Sequence, residues 1–214
     1  MSVAAVVVAG GQGVRFGGPK QFAQLTGSSV TARSVQNARS VASLVVLVVP
    51  VGYDGSGEGA DIVVPGGASR AASVRAGLEH CGDADIIVVH DAVRPLATGQ
   101  LFVSVVAAVL AGADAAVPGL AITDTVKRIA REGELSVIRE TVAREDLLTV
   151  QTPQAFRRDV LVRAHETERE ATDDSALVES IGARVVVVPG ELENLKITEP
   201  GDVERAASLE RSLR

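Results

Sequence analysis

Three stretches of this chain, at residues 4–9, 44–49 and 85–90, carry Val, Leu, Ile and Ala in consecutive positions, without polar alternation in their interiors. A strand with one face in water alternates apolar and polar side chains. A strand covered on both faces does not, and such strands belong to parallel sheets sandwiched between helices. Shorter runs at 61–64, 114–117 and 184–188 read as further strands. Helical patterns fill 29–41, 71–79, 99–110, 157–168 and 174–181, and Pro200-Gly201-Asp202 opens a last helix. The order β-α-β-β-α-β-α-β predicts an α/β fold built on an open, mostly parallel, Rossmann-like sheet. The scarcity of aromatics, 2% of a chain that is 46% apolar, fits Val-rich strands covered by Ala-rich helices.

At 214 residues the chain is of single-domain size, spanning 1–214. Two stretches break the alternation. Residues 50–59 hold Gly52, Gly55, Gly57 and Gly59 with no helical period, which predicts a surface loop in place of a helix. Residues 121–145 are charge-rich, with β-type runs at 125–129 and 135–138 around Arg131-Glu132-Gly133-Glu134. This insertion reads as a β-hairpin arm projecting from the sheet, either packed on a second subunit or solvated.

The net charge of −6 argues against a general nucleic-acid binder. Cys81 is the one cysteine, so an intrachain disulfide and a multi-thiolate zinc site are both excluded, and its expected place is the core. The first residues lack a basic leader, and no apolar run reaches membrane-spanning length. The expectation is a cytoplasmic protein with no membrane partner.

The first strand runs directly into Ala9-Gly10-Gly11-Gln12-Gly13-Val14-Arg15-Phe16-Gly17-Gly18-Pro19-Lys20. Its glycines let the backbone approach phosphates closely, while Arg15 and Lys20 supply cations from the same loop. A dinucleotide loop would require a third glycine where Phe16 stands, and an acid after the second strand, where Val49-Pro50 stands. A P-loop would require Gly-Lys-Ser/Thr, but the chain reads Pro19-Lys20-Gln21. The pattern is instead that of a nucleotidyltransferase loop around a triphosphate. A second motif, His90-Asp91-Ala92-Val93-Arg94-Pro95, ends the fourth strand. Open α/β sheets bind ligands at the carboxyl ends of their strands, so Asp91 should face the crevice beside the first loop, where one carboxylate suits a hydrated Mg²⁺. His90 is read as a packing residue.

Further motifs are Gly66-Gly67, Arg70 and Ser73, Asp124-Thr125-Val126-Lys127, Gln151-Thr152-Pro153-Gln154, Thr172-Asp173-Asp174 and Asn194-Leu195-Lys196-Ile197-Thr198. Taken in this order with the first two, they resemble the 2-C-methyl-D-erythritol 4-phosphate cytidylyltransferase family over essentially the whole chain. The resemblance implies that an acceptor phosphate oxygen attacks the α-phosphorus of CTP and that pyrophosphate leaves. It assigns transition-state stabilisation to Arg15 and Lys20, grip on the attacking phosphate to Arg144 and Lys196, and Mg²⁺ to Asp91. Nucleotide contacts would come from Ala9, Gly10, Gly11, Gly13, Gly67, Ser73 and Ala92. The sugar-alcohol phosphate would meet Asp91, Arg94, Thr125, Thr152 and Thr172. Thr172 also reads as the N-cap of the helix that follows it. The family's arm lies over a neighbouring subunit's site, which implies a homodimer.

Some residues depart from the family pattern. Ala68 stands where many relatives carry an acid, and Gly10 where many carry Ala. The Ala9-Gly10-Gly11 start also occurs in ribitol-5-phosphate cytidylyltransferases, the rival reading. The Asp124–Lys127 stretch and the 173–179 run stand closer to the methylerythritol branch. From other classes, a non-catalytic nucleotide-binding protein and a dehydrogenase remain as alternatives. Arg15, Lys20, Asp91 and Lys196 together weigh against the former, and the missing glycine and acid against the latter.

Overall fold

The computed structural model describes residues 1–11, 16–166, 169 and 171–212. In chain order its elements are β1 (Val3–Val8), β2 (Gln24–Leu25), β3 (Ser28–Ser29), α1 (Val30–Ala38), β4 (Leu44–Val49), β5 (Ile62–Pro65), α2 (Arg70–Leu78), β6 (Ile86–Asp91) and α3 (Gly99–Leu110). There follow β7 (Ala115–Ala121), β8 (Val126–Glu132), β9 (Leu135–Val142), β10 (Leu148–Val150), β11 (Gln154–Arg157), α4 (Arg158–His165), α5 (Asp174–Ser180), β12 (Val185–Pro189) and α6 (Pro200–Ser212). Short 3₁₀ turns cover Lys20–Phe22 and Ser56–Glu58.

The central sheet runs β5-β4-β1-β6-β11-β7, with β10 and β12 each also paired to β7. The pairs β4/β5, β1/β4, β1/β6 and β7/β12 are parallel, while β11 and β10 run antiparallel to their neighbours. Alternation along the strands explains the uninterrupted apolar runs. Ala5, Val7, Val45 and Leu47 point to a layer made with Val35 of α1 and Leu101, Phe102 and Val105 of α3. Ala4, Val6, Val46 and Val48 point to the opposite layer with Val74 of α2, Leu161 of α4 and Val178 of α5. Both faces are covered, so neither set can be polar. Each fully buried Val or Leu contributes roughly 1.5–3 kcal/mol. Cys81 lies in the second layer, and burial pushes its thiol up to about 12.

Local details differ from the expectations. The first helix begins one residue later, because Ser29 is its cap: Ser29 Oγ accepts the Ala32 N–H at 2.9 Å. That helix ends at Ala38 rather than at 41. The chain from Gln154 to Arg157, expected in part as helix, is strand β11 inserted between β6 and β7, and helix α4 starts at Arg158. Residues 167 and 168 of that expected helix lie outside the described residues. The cap of α5 is Asp173, not Thr172: Asp173 Oδ1 accepts the Ala176 N–H at 3.1 Å and Oδ2 takes bonds from Ser175 Oγ and Gln154 Nε2, each at 2.8 Å. A carboxylate that also joins β11 to α5 satisfies more donors than the neighbouring hydroxyl could.

Segment 50–59 is a loop, yet it is anchored. Tyr53 stacks on Phe22 with centroids 3.6 Å apart, and Tyr53 Oη donates to the buried Glu58 at 3.0 Å. Strands β8 and β9 form a separate two-stranded sheet, longer than the sequence runs suggested, turning at Gly133 with φ of 63°.

Candidate active site

Val8 and Asp91 are register partners on parallel β1 and β6, so the glycine-rich loop and the 90–95 motif leave the sheet side by side at its carboxyl edge. A cavity of about 480 Å³ opens there, between Ala9, Gly10, Gly11 and Lys20 on one wall, Gly67, Ala68, Arg70 and Ser73 on another, and Asp91 and Lys196. This is the crevice that an open α/β sheet leaves above its strand ends.

The first wall is fixed from behind. Gln21, fully buried in the 3₁₀ turn, donates Nε2 to the carbonyls of Ala9 at 2.7 Å and Gly11 at 2.9 Å. One side chain thus holds the entrance of the loop and the turn carrying Lys20 in a single arrangement. The second wall requires glycine. A Cβ on Gly67 would stand 2.5 Å from Ala72 Cβ, and one on Gly66 2.8 Å from Ser73 Oγ. Ser73 Oγ accepts the Gly67 N–H at 3.2 Å and donates to the Ser69 carbonyl at 2.9 Å. The loop therefore lies flat against the first turn of α2.

Asp91 organises the charges. Its Oδ2 accepts from Lys196 Nζ at 2.8 Å and its Oδ1 from Arg70 Nε at 3.3 Å. Burial opposes ionisation, but the Arg70 and Lys196 charges outweigh it and hold the carboxyl well below the usual carboxylate range. Arg70 also donates Nη1 to Asp174 at 2.7 Å. Burial works against its charge too, and the two carboxylates overcome that and push its pKa above the ordinary arginine value. Behind Asp91, its N–H is accepted by Thr152 Oγ1 at 3.0 Å, and His90 Nδ1 lies 3.1 Å from the same hydroxyl. Burial lowers His90 to about 4, so it is neutral at pH 7.

Lys196 is placed by its neighbours. The Ile197 N–H donates to the Val93 carbonyl at 2.9 Å, and the buried Asn194 donates to the Thr152 carbonyl at 2.9 Å. Gln151 donates to the Glu191 carbonyl at 2.8 Å, and Arg94 Nη1 to the Asn194 carbonyl at 2.8 Å.

Of the site residues expected from the sequence, Ala9, Gly10, Gly11, Lys20, Gly67, Ser73, Asp91 and Lys196 line this cavity. Ala92 is fully buried and outside the lining, its carbonyl accepting from Ser34 Oγ at 2.8 Å. Thr152 and Arg94 lie behind the lining, in the contacts just described. Thr125, Arg144 and Thr172 are exposed and do not line the cavity, and Arg144 donates to the Thr123 carbonyl at the base of the hairpin. Gly13 and Arg15 lie outside the described residues. Sequence reasoning gave no role to Arg70 or Gln21. Arg70 stood within a quoted motif and Gln21 directly follows Lys20, so position alone marked both.

Among the described residues, no group of three or more His, Cys, Asp or Glu side chains could hold a metal ion. Among the described residues of the lining, Asp91 is the one carboxylate. Among the described residues, Arg70 donates to one of its oxygens and Lys196 to the other, and a carboxylate offers about four lone-pair sites. A hard oxygen donor of this kind fits Mg²⁺ that draws its other ligands from phosphate and water.

Residues 3–211 match the sequence model for 2-C-methyl-D-erythritol 4-phosphate cytidylyltransferase, IspD. The chain belongs to this family. A Streptomyces avermitilis protein of that name is 43% identical over 228 residues, covering 96% of this chain and 90% of its own length. The "Bifunctional enzyme IspD/IspF" of an Anaeromyxobacter species is 45% identical over 221 residues, where this chain spans 97% of itself and 57% of that protein. The crystal structure of the 2-C-methyl-D-erythritol 4-phosphate cytidylyltransferase from Thermus thermophilus superposes with a TM-score of 0.84 at 34% identity, covering 99% of this chain and all of that one. The mostly parallel sheet flanked by helices is the fold of these cytidylyltransferases.

Proposed function

We propose that the chain transfers the cytidylyl group of CTP to 2-C-methyl-D-erythritol 4-phosphate. An acceptor phosphate oxygen bonds to the α-phosphorus of CTP, the bond from that phosphorus to the bridging oxygen breaks, and the electron pair leaves with pyrophosphate. The nucleophile is already anionic, so no general base is needed. The protein's part is positioning and charge neutralisation.

The observation that carries this reading is the cavity in which Arg70 and Lys196 meet Asp91 and Lys20 lines one of two glycine-rich walls. Lys20, with Arg15, neutralises the triphosphate. The backbone of Ala9, Gly10, Gly11, Gly13 and Gly67, with Ser73, receives the nucleotide, and the backbone at Ala92 lies toward the ribose. Lys196 and Arg144 hold the acceptor phosphate, while Arg94, Thr125, Thr152 and Thr172 serve the acceptor's hydroxyl side. Mg²⁺ held at Asp91 would add neutralising charge on the phosphate oxygens.

The chain acts as one domain, as a homodimer in the cytoplasm. Supporting the dimer, Ile129, Leu135 and Ile138 on the hairpin are 54%, 70% and 61% exposed, and Thr125 and Arg144 stand apart from the chain's own cavity. No helix among the described residues is long and apolar enough to cross a membrane.

The family match and the relatives' names favour methylerythritol phosphate over ribitol 5-phosphate. The test is pyrophosphate release from CTP and Mg²⁺ with each acceptor in turn. Release with methylerythritol phosphate is expected. Release with ribitol 5-phosphate alone would transfer the reading to that acceptor, and no release with any acceptor would refute the transferase.

A further inference from the structure

Behind the cavity wall lies a chain of charged and polar side chains drawn from five separate parts of the fold. His165, at the end of α4, places Nε2 3.0 Å from Asp174 Oδ1. Asp174 Oδ2, at the start of α5, accepts from Arg70 Nη1 at 2.7 Å. Arg70, at the start of α2, donates Nε to Asp91 at 3.3 Å, and Asp91 holds Lys196 at 2.8 Å. The two inner members are buried, with side-chain exposures of 3% for His165 and 1% for Asp174. A carboxylate only accepts, so His165 donates through Nε2.

We propose that Asp174 and His165 are positioning residues for the candidate active site, acting through Arg70 on Asp91. The proposal rests on the cytidylyltransferase reading for what the site binds, and on geometry for the link itself. Arg70 is a long side chain at a helix terminus with two anionic partners. The contact with Asp174 is the shorter and more buried of the two, so Asp174 sets where the guanidinium lies. The Nε edge left to Asp91 then fixes the rotation of the carboxylate that carries Lys196. Arginine's planar fork transmits that orientation, whereas a lysine would present a single rotatable ammonium. His165, held by the packing of α4, occupies the second oxygen of Asp174 and keeps that carboxylate from turning.

A double-mutant cycle tests the link. Asp174→Asn should lower kcat/KM for CTP about tenfold in the wild-type background and less than twofold in an Arg70→Ala background, since coupled residues are non-additive. His165→Phe, which keeps bulk and removes the donor, should give a smaller loss of the same kind. His165→Gln, which restores an N–H toward Asp174, should recover most of it. An equal fold-loss in both backgrounds would overturn the proposal, as would wild-type kinetics for a folded Asp174→Asn. Should Asp174→Asn fail to fold, the His165 pair carries the same cycle. A wild-type protein that released no pyrophosphate would count against the proposed reaction alone. Calorimetric binding of CTP across the same variants would then judge the network.

Discussion

Replacing Asp91 with asparagine removes the charge that two cations share while keeping the side chain's shape. Deleting one partner of a buried ion pair costs about 3–5 kcal/mol when the other is left buried and unpaired. Neither cation is left that way here. Lys196 has 45% of its side chain exposed and returns to water, where its pairing is worth about 0–1 kcal/mol. Arg70 keeps Asp174 at 2.7 Å. The loss should therefore fall to about 1–2 kcal/mol at pH 7, the scale of one charge-assisted hydrogen bond. The pH dependence follows from the depressed carboxyl. Its contribution is fully present above the unfolded value of about 3.9 and declines as pH falls toward the lower folded value. The gap between wild type and Asp91→Asn should be widest near neutrality and close below about pH 4. With one Tyr and no Trp in the chain, urea unfolding is best followed by far-UV circular dichroism. Activity should drop by about 10²–10³, as when a preorganised charge contact is removed. A gap that widens as the solution is acidified, or none at pH 7, would refute the assignment of Asp91 as an ionised hub.

Other outcomes follow from the same geometry. Lys20→Ala should lower kcat by about 10² with a stability change under about 1 kcal/mol, read by pyrophosphate release and by thermal melting, because the residue is a partly exposed lysine at the start of a 3₁₀ turn on the cavity wall. Gly77→Ala should destabilise the fold by about 1–3 kcal/mol in urea titrations, since its Cβ would meet Val6 Cγ1 at 2.5 Å and Val48 Cγ2 at 3.0 Å within a packed layer. Asp173→Ala should cost about 1–2 kcal/mol by removing the cap of α5 and the Gln154 bond together, with Asp173→Ser recovering part of it. His90 titrates lower when folded than when unfolded, so its contribution is complete above about pH 6.5 and declines toward about 4; His90→Gln should flatten that part of the stability curve.

The strands that carry the site were legible because physics left them one composition. Every position of β1 faces one apolar layer or the other, so Val6-Val7-Val8 could be read without knowing its neighbours. Strand β11 offered no such signal. Gln154–Arg157 is four residues long, too short to display a period, and it runs directly into α4, so its antiparallel insertion depends on partners in β6 and β7 that lie far away in sequence. The site divides in the same way. Lys20, Asp91 and Lys196 stand in motifs whose residue types suit phosphate chemistry. The role of Arg70 depends on Asp174, 104 residues further along, and no local spacing encodes that contact. The cap at Asp173 escaped for a smaller reason: Thr172 and Asp173 are both good capping residues, and the Gln154 bond that ties Asp173 to β11 is not visible in local sequence.

The placement of Asp91 between Lys196 and Arg70 also bears on how such a site balances grip against turnover. The chain as a whole is acidic, at −6, yet the described lining of the cavity holds Lys20, Arg70 and Lys196, the last two paired with Asp91. Anionic substrates are therefore drawn to one local patch of an otherwise repelling surface. A phosphate that takes Lys196 must compete with Asp91 at 2.8 Å, so it gains only the difference between the two contacts. That lowers ground-state affinity without moving the cation, because Asp91 holds the ammonium in place in advance. Binding energy spent equally on substrate and transition state would lower KM and leave kcat unchanged. In the proposed reaction, charge on the phosphorus oxygens shifts toward the departing pyrophosphate as the transition state forms. Cations already fixed by carboxylates can meet that charge without reorganising, which is the condition under which electrostatic stabilisation accelerates the chemical step.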